Sequence, residues 1–277
     1  MSRVFKLIVS SGAAGCVVYA TAHFKSINFP RSQTTAIAAT VTPCSTWDSN
    51  WDKRDPVMLI PPSKLNGDAK SQEYKDLIKQ HTATAKRRLI FIRHGQYNIQ
   101  YKDDKLRTLT TLGQEQAVYT GIRLRELGID FDRFIESSMT RAIETSDLIR
   151  QQLKQNDVER TDLLREGSPI SPEPPFRHWR SEVSTYTDHP RIEAAFRKFV
   201  HRADVTQTKD SNEVIVCHAN VIRYIVCRAL QIPPEAWLRI SLKHGSLTCL
   251  TIFPDGHVTL TSLGEAGHIP VDKMSVE

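Results

Sequence analysis

The 277-residue chain has five cysteines and no CxxC pair. So sparse and odd-numbered a set is unsuited to a disulfide-stapled scaffold, a zinc ribbon or a thioredoxin-like redox site. The cysteines read as reduced, intracellular residues. Acidic residues are missing altogether from positions 1–47. No internal repeat is visible, and no cluster of His, Cys, Asp and Glu has metal-ligand spacing, so no metal or cofactor is expected. What is present looks ordinary: 40% hydrophobic and 25% charged residues. That balance excludes collagen, a disordered chain and a multi-span membrane protein. The length allows one large domain or two small ones.

The net charge of +6 is unevenly placed. Residues 1–86 hold 11 Lys/Arg against 6 Asp/Glu, which leaves the rest of the chain nearly neutral. A basic balance usually points to nucleic acid or a membrane surface. Because it is confined to the first third here, nucleic acid is not an expected partner.

Residues 7–24 carry no formal charge and are preceded by Arg3 and Lys6 and followed by Lys25. Eighteen helical residues span about 27 Å, just short of a bilayer core of about 30 Å. A secretory signal peptide would use Ala20-Thr21-Ala22 as its cleavage site. A single-pass anchor accounts for the length and the flanking bases. A mitochondrial address accounts for the acid-free start and the Ser/Thr-rich run from Arg31 to Thr46. The last two are compatible and are preferred. The expectation is a mitochondrial membrane protein, outer membrane over inner, anchored once through residues 1–24.

A linker is expected over residues 25–86. It contains Trp47-Asp48-Ser49-Asn50-Trp51-Asp52-Lys53-Arg54. Two tryptophans four apart are hard to leave in water, since each carries about 150–250 Å² of surface. They dock either onto the chain's own domain or onto a neighbouring subunit, where Trp and Arg are typical hot spots.

From Arg87 the texture changes, and residues 87–277 are expected to form the catalytic domain. Leu89-Ile90-Phe91-Ile92 is a short apolar run suited to a strand buried on both faces, and it leads into Arg93-His94-Gly95. Thr110 or Thr111 can cap a helix ended by Gly128. Residues 131–138 read as a strand and 140–153 as a helix. Residues 192–203 read as a helix, 213–217 as a strand ending at His218, and 221–230 as an apolar helix. Residues 246–253 and 258–263 flank Pro254-Asp255-Gly256 as a hairpin. Strands alternating with helices predict a three-layer α/β sandwich with a mostly parallel sheet, whose ligands sit at the carboxyl ends of the strands.

Arg93, His94 and His218 fall at such ends. Arg141 opens a helix, whose N-terminus already favours anions. Two Arg forks and two His suit a phosphoryl group, because a guanidinium meets its oxygens bidentately.

Four blocks in order carry a family resemblance. They are Arg93-His94-Gly95, Leu109-Thr110-x-x-Gly113-x-x-Gln116-Ala117, Ser137-Ser138-x-x-Arg141-Ala142-x-x-Thr145 and Cys217-His218-Ala219. Over roughly residues 87–265 the chain resembles the phosphoglycerate mutase-like histidine phosphatases. With Trp47 to Arg54, the run Met139 to Thr145 and Leu163-Leu164-Arg165-Glu166-Gly167, it looks most like the mitochondrial serine/threonine-protein phosphatases of that family. The resemblance implies metal-independent hydrolysis of phosphoserine and phosphothreonine, with His94 forming a phosphohistidine. Arg93, Arg141 and His218 would hold the phosphoryl oxygens, with His218 also catalytic, and Glu166 would protonate the leaving group. It further implies phosphorylated proteins as partners, kinases among them. Trp47, Asp48, Asn50, Trp51, Asp52 and Arg54 would form a segment for homo-oligomerisation and activation.

There are departures. Gln96 stands where many members have Glu, and Gln100 where Asn is usual, with Asn98 nearby. Arg107 is either a further phosphate contact or a surface residue, and Cys217 reads as a buried strand cysteine. A small-metabolite phosphatase or mutase, and an anchored scaffold with weak phosphatase activity, are the alternatives.

Overall fold

Six strands account for the sheet among the described residues: β1 (Arg87–Arg93), β2 (Arg133–Ser137), β3 (Glu159–Thr161), β4 (Ser211–Cys217), β5 (Leu247–Ile252) and β6 (Val258–Glu265). They form one sheet in the order β3-β2-β4-β1-β5-β6. This computed structural model describes residues 46–65, 69, 71–176 and 182–276. The anchor expected at 1–24 lies outside them; among the described residues no helix is long and apolar enough to cross a membrane. The helices are α1 (Pro56–Leu59), α2 (Gln72–Gln80), α3 (Thr111–Glu126), α4 (Thr140–Leu153), α5 (Glu182–Phe199) and α6 (Ala219–Ala229).

The three-layer α/β expectation holds, but the sheet is mixed. β1, β4, β2 and β3 pair in parallel, whereas β5 is antiparallel to both β1 and β6. For β5 and β6 the reason is local: Gly256, at φ +87°, closes a tight turn between them. A connection so short can join only antiparallel neighbours.

Alternation along β1 builds both cores. Leu89 and Phe91 face Ile192, Phe196 and Phe199 of α5 and Val221 and Ile225 of α6. Ile90 and Ile92 face Leu124 of α3 and Ala142 and Ile149 of α4. Each fully buried side chain of this kind contributes about 1.5–3 kcal/mol. Phe91 is 0% exposed; its truncation to Ala would cost about 3–5 kcal/mol through the cavity left behind.

This packing fixes where functional groups emerge. β1 and β4 end at Arg93-His94 and at His218, on one edge of the sheet. β5 runs the other way and therefore starts at that edge, which brings His244 to the same place.

Two elements differ from the sequence reading. α5 begins at Glu182, ten residues before the expected start. Its early turns leave Val183 and Tyr186 exposed, so no apolar stripe announces them. β3 is a three-residue edge strand without a fully buried side chain, too short to show a period.

The Trp47–Arg54 segment lies at the opposite end of the sheet from His94. Trp51 packs on Phe196 with ring centroids 5.7 Å apart and donates Nε1–H to Gly256 O at 2.8 Å. Asp52 forms a buried ion pair with Arg202 at 2.6 Å. Burial alone would raise the Asp52 pKa, but hydrogen bonds from Arg202 hold it below the usual carboxylate value. Asp48 exchanges two 2.8 Å hydrogen bonds with Gln231. Asn50 Oδ1 accepts from Asp55 N–H at 2.9 Å, and Arg54 pairs with Asp204. Trp47 stays partly exposed beside His257. Within one chain, then, the segment docks on its own domain.

Candidate active site

Backbone packing sets the position of the first histidine. A Cβ on Gly95 would meet Gly113 O at 2.3 Å, and one on Gly113 would meet Gln96 O at 1.9 Å. Only glycines let the loop after β1 lie against the first turn of α3. Thr110 caps that helix by accepting from Gly113 N–H at 3.1 Å. Gly95 N–H donates to Thr145 Oγ1 of α4 at 3.0 Å.

His94 is 2% exposed. Its Nδ1 lies 2.8 Å from Gly95 O. A carbonyl can only accept, so the proton is on Nδ1 and the lone pair is on Nε2. Burial first, then the charges of Arg141 and the other neighbours, holds the His94 pKa well below the usual value. Arg141 donates Nε–H to Nε2 at 3.1 Å. The imidazole is neutral, of fixed tautomer, and already aimed at a cation.

His218 is fully buried with its ring centroid 5.0 Å from that of His94. Its Nε2 bonds Ser137 Oγ at 2.8 Å, while Nδ1 has no partner among the described residues. Burial, followed by Arg141 and Arg93, also holds its pKa well below normal. Arg141 leans over the Tyr97 ring at 4.5 Å and pairs with Asp104 at 3.4 Å. Arg93 donates to Leu242 O, Val276 O and His244 Nε2.

Glu166 completes the group. Its carboxylate accepts from Gly167 N–H at 3.0 Å and from Asn220 N–H, at the start of α6, at 3.5 Å. Arg93, His94, Arg141 and Glu166 line one cavity of about 1050 Å³. Its outer wall includes Asn98, Ile99, Gln100, Arg107 and Phe176.

Five of the residues expected for catalysis or phosphate binding therefore converge: Arg93, His94, Arg141, Glu166 and His218. Arg107 sits at the rim, donating to Tyr97 Oη at 3.1 Å. Gln96 does not face a ligand alone; its Oε1 accepts from Thr110 Oγ1 at 2.8 Å. Burial raises the Cys217 thiol far above its usual range, which makes it inert. The six residues of the Trp47–Arg54 segment expected to serve self-assembly are not in the cavity. Sequence reasoning missed Tyr97, Asp104 and His244, and gave Ser137 only as part of a motif block, without the contact to His218. For His244 there was a usable signal: a His-Gly pair just before a strand that returns to the catalytic edge. Among the described residues no group of three or more His, Cys, Asp or Glu could hold a metal ion.

A profile of the histidine phosphatase superfamily (branch 1) matches residues 89–264. The chain is 53% identical over 230 residues to a Rattus norvegicus protein named "Serine/threonine-protein phosphatase PGAM5, mitochondrial", covering 83% of this chain and 80% of that one. A Xenopus laevis protein of the same name is 46% identical over 269 residues, 97% of each chain. A solved structure described as mycobacterial hydrolase 1 superposes with a TM-score of 0.51 at 18% identity. It covers 66% of this chain and 100% of that one, and it is alike in fold.

Proposed function

The chain belongs to the histidine phosphatase superfamily, and from that premise we infer that it is a serine/threonine-protein phosphatase working through a phosphohistidine. The observation that carries the mechanism is His94: a neutral imidazole, Nδ1–H anchored, with its Nε2 lone pair held toward the cavity by Arg141. Nε2 attacks phosphorus in line, the P–N bond forms and the P–O ester bond breaks. Arg93 and Arg141 take the phosphoryl oxygens as charge spreads over them, joined by His218, whose Nε2 accepts from Ser137 Oγ–H so that its proton sits on the Nδ1 left without a partner among the described residues. Glu166 gives its proton to the departing alkoxide. Water then attacks phosphorus, Glu166 takes its proton back, and orthophosphate leaves with His94 restored. All charges and protons balance without a further reactant.

The names of the relatives support a protein substrate. So does the cavity rim, where Ile99 and Phe176 are 72% and 63% exposed. Exposed apolar side chains beside a phosphoryl site suit the flanks of a peptide better than a sugar phosphate. The same names favour a mitochondrial setting, and the charge-free residues 7–24 suit a single-pass anchor, in the outer membrane by preference. The Trp47–Arg54 segment is read as also serving self-assembly and activation, since Trp47 and, four residues beyond the segment, Met58, 68% exposed, are left to water in a single chain. Trp47→Ala then lowers both sedimentation coefficient and turnover; unchanged values of both would remove that role.

The test of the enzymatic reading is a side-by-side assay in chelator. Wild type and His94→Ala are offered a phosphothreonine peptide and 3-phosphoglycerate. Release from the peptide, lost in His94→Ala, is expected. Turnover of the metabolite alone would favour a metabolite phosphatase or mutase, and activity on neither would favour a scaffold.

A further inference from the structure

His244 is a third imidazole in the site and lies in none of the four motif blocks. It is 1% exposed and sits between Arg93 and the C-terminal segment. Its Nε2 is 3.0 Å from Arg93 Nη2, its Nδ1 is 2.9 Å from Ser275 Oγ, and its backbone N–H donates to Ser275 O at 2.9 Å. A guanidinium can only donate, so Nε2 accepts and the proton on Nδ1 is donated to Ser275. Arg93 Nη1 meanwhile donates to Leu242 O at 2.6 Å and to Val276 O at 2.7 Å.

The C-terminal segment is itself held in place. Gln116 Nε2 donates to Lys273 O at 2.7 Å and Ser275 Oγ at 2.9 Å. The other end of the same amide, Oε1, accepts from Gln96 N–H at 2.9 Å, in the loop that follows His94. One network thus runs from the last residues of the chain to Arg93 and to the catalytic loop. None of residues 274–276 lines the cavity; Val276 O holds Arg93 directly and Ser275 holds it through His244.

We propose that His244 and the C-terminal segment 274–276 form a brace that orients the Arg93 guanidinium toward the phosphoryl group. This rests on the reading of Arg93 as a phosphate-binding residue. A guanidinium is a planar fork, and its value for an oxyanion depends on the plane in which it is held. Three acceptors, namely Leu242 O and Val276 O on Nη1 and His244 Nε2 on Nη2, fix that plane before the ligand arrives. The imidazole must be neutral to accept. Burial, and then the charge of Arg93, holds its pKa at about 3. His244 also lines the cavity, its ring centroid 5.6 Å from that of His94, but its Nε2 is engaged by Arg93 and its Nδ1–H by Ser275, so it is a positioning residue that acts through Arg93.

The experiment uses the full chain in detergent, with inorganic phosphate as the probe. Its dissociation constant is measured by calorimetry beside the melting temperature and kcat/KM on para-nitrophenyl phosphate. His244→Ala is expected to weaken phosphate binding about tenfold, the size of one charge-assisted hydrogen bond. Melting should shift little. His244→Asn, whose side-chain oxygen can take the Nη2–H, should restore most of the affinity. Ser275→Ala, and a chain ending at Lys273, should weaken phosphate binding in the same direction. Unchanged affinity in folded His244→Ala, or in the chain ending at Lys273, would overturn the brace. Equal weakness of His244→Ala and His244→Asn would overturn it as well. Phosphate affinity reads the brace whether or not phosphopeptide is hydrolysed, so wild-type turnover of a phosphothreonine peptide tests the phosphatase reading separately.

Discussion

Arg141 Nε donates to His94 Nε2 at 3.1 Å, so a fixed positive charge touches the lone pair that must become nucleophilic. This bond does two things at once. It excludes a proton from Nε2, and it stores the guanidinium beside the point where phosphorus will stand. A phosphoryl group in line with Nε2 replaces the bond and draws the Arg141 donors onto its own oxygens.

Arg141→Lys keeps the charge and loses the planar fork. We expect kcat/KM to fall by about 10²–10³, the usual cost of losing an aligned donor to transition-state charge. The loss should lie mainly in kcat, read from steady-state kinetics on a phosphopeptide. A change of less than threefold would mean that charge alone suffices.

Stability should fall on mild acidification. His94, His218 and His244 all have pKa values lowered in the folded protein, by burial first. Below about 6.5 the unfolded chain binds protons that the native chain refuses, so stability falls as pH drops. Each histidine contributes up to about 1.4 kcal/mol per pH unit in that window. The window lies above the one in which Asp52 and Glu193, whose pKa values are lowered, would be protonated. Urea midpoints at pH 7.5 and pH 5.5 check this. Equal midpoints would contradict the buried neutral state of the three rings.

Much of the site was legible in the sequence because each part obeys a local rule. Leu89 to Ile92 is apolar on both faces, as a central strand must be, and Arg93-His94 follows it at the carboxyl end. The Thr110 cap and the Gly128 stop follow from capping and turn chemistry, and the helix at 140–153 from the apolar positions Ile143, Leu148 and Ile149, whereas Glu166 is legible only through the family resemblance. Beyond the His-Gly pair before β5, the role of His244 and that of Ser275 were hidden because they depend on an antiparallel strand and on segment 274–276 folding back onto it. Neither leaves a periodic trace. The start of α5 was hidden because its first turns bury nothing.

The ion pair of Arg202 and Asp52, with side chains 4% and 1% exposed, ties the Trp47–Arg54 segment to the domain. Arg202→Ala leaves the carboxylate buried and unpaired. We expect a loss of about 3–5 kcal/mol in urea denaturation, with new proteolysis near residue 50. Asp52→Ala added to Arg202→Ala should recover part of that loss. A cost below about 1 kcal/mol would show that the pair is no more than a surface contact.

Gly113→Ala tests the close approach behind His94. The added Cβ would lie 1.9 Å from Gln96 O, so backbone has to move. Activity should fall at least tenfold at a temperature where circular dichroism still reports a folded chain, because the shift displaces His94 from Arg141 by enough to spoil alignment. Wild-type activity would mean that the loop and helix can part without moving the site.

The most direct test of the account is to trap the intermediate. A phosphothreonine peptide labelled in its phosphate is mixed with the protein in chelator, and the reaction is quenched in alkali within one turnover. The account predicts label on His94 with the alkali stability and acid lability of a phosphoramidate, absent in His94→Ala. Turnover with no labelled histidine, or label on another residue, would contradict it.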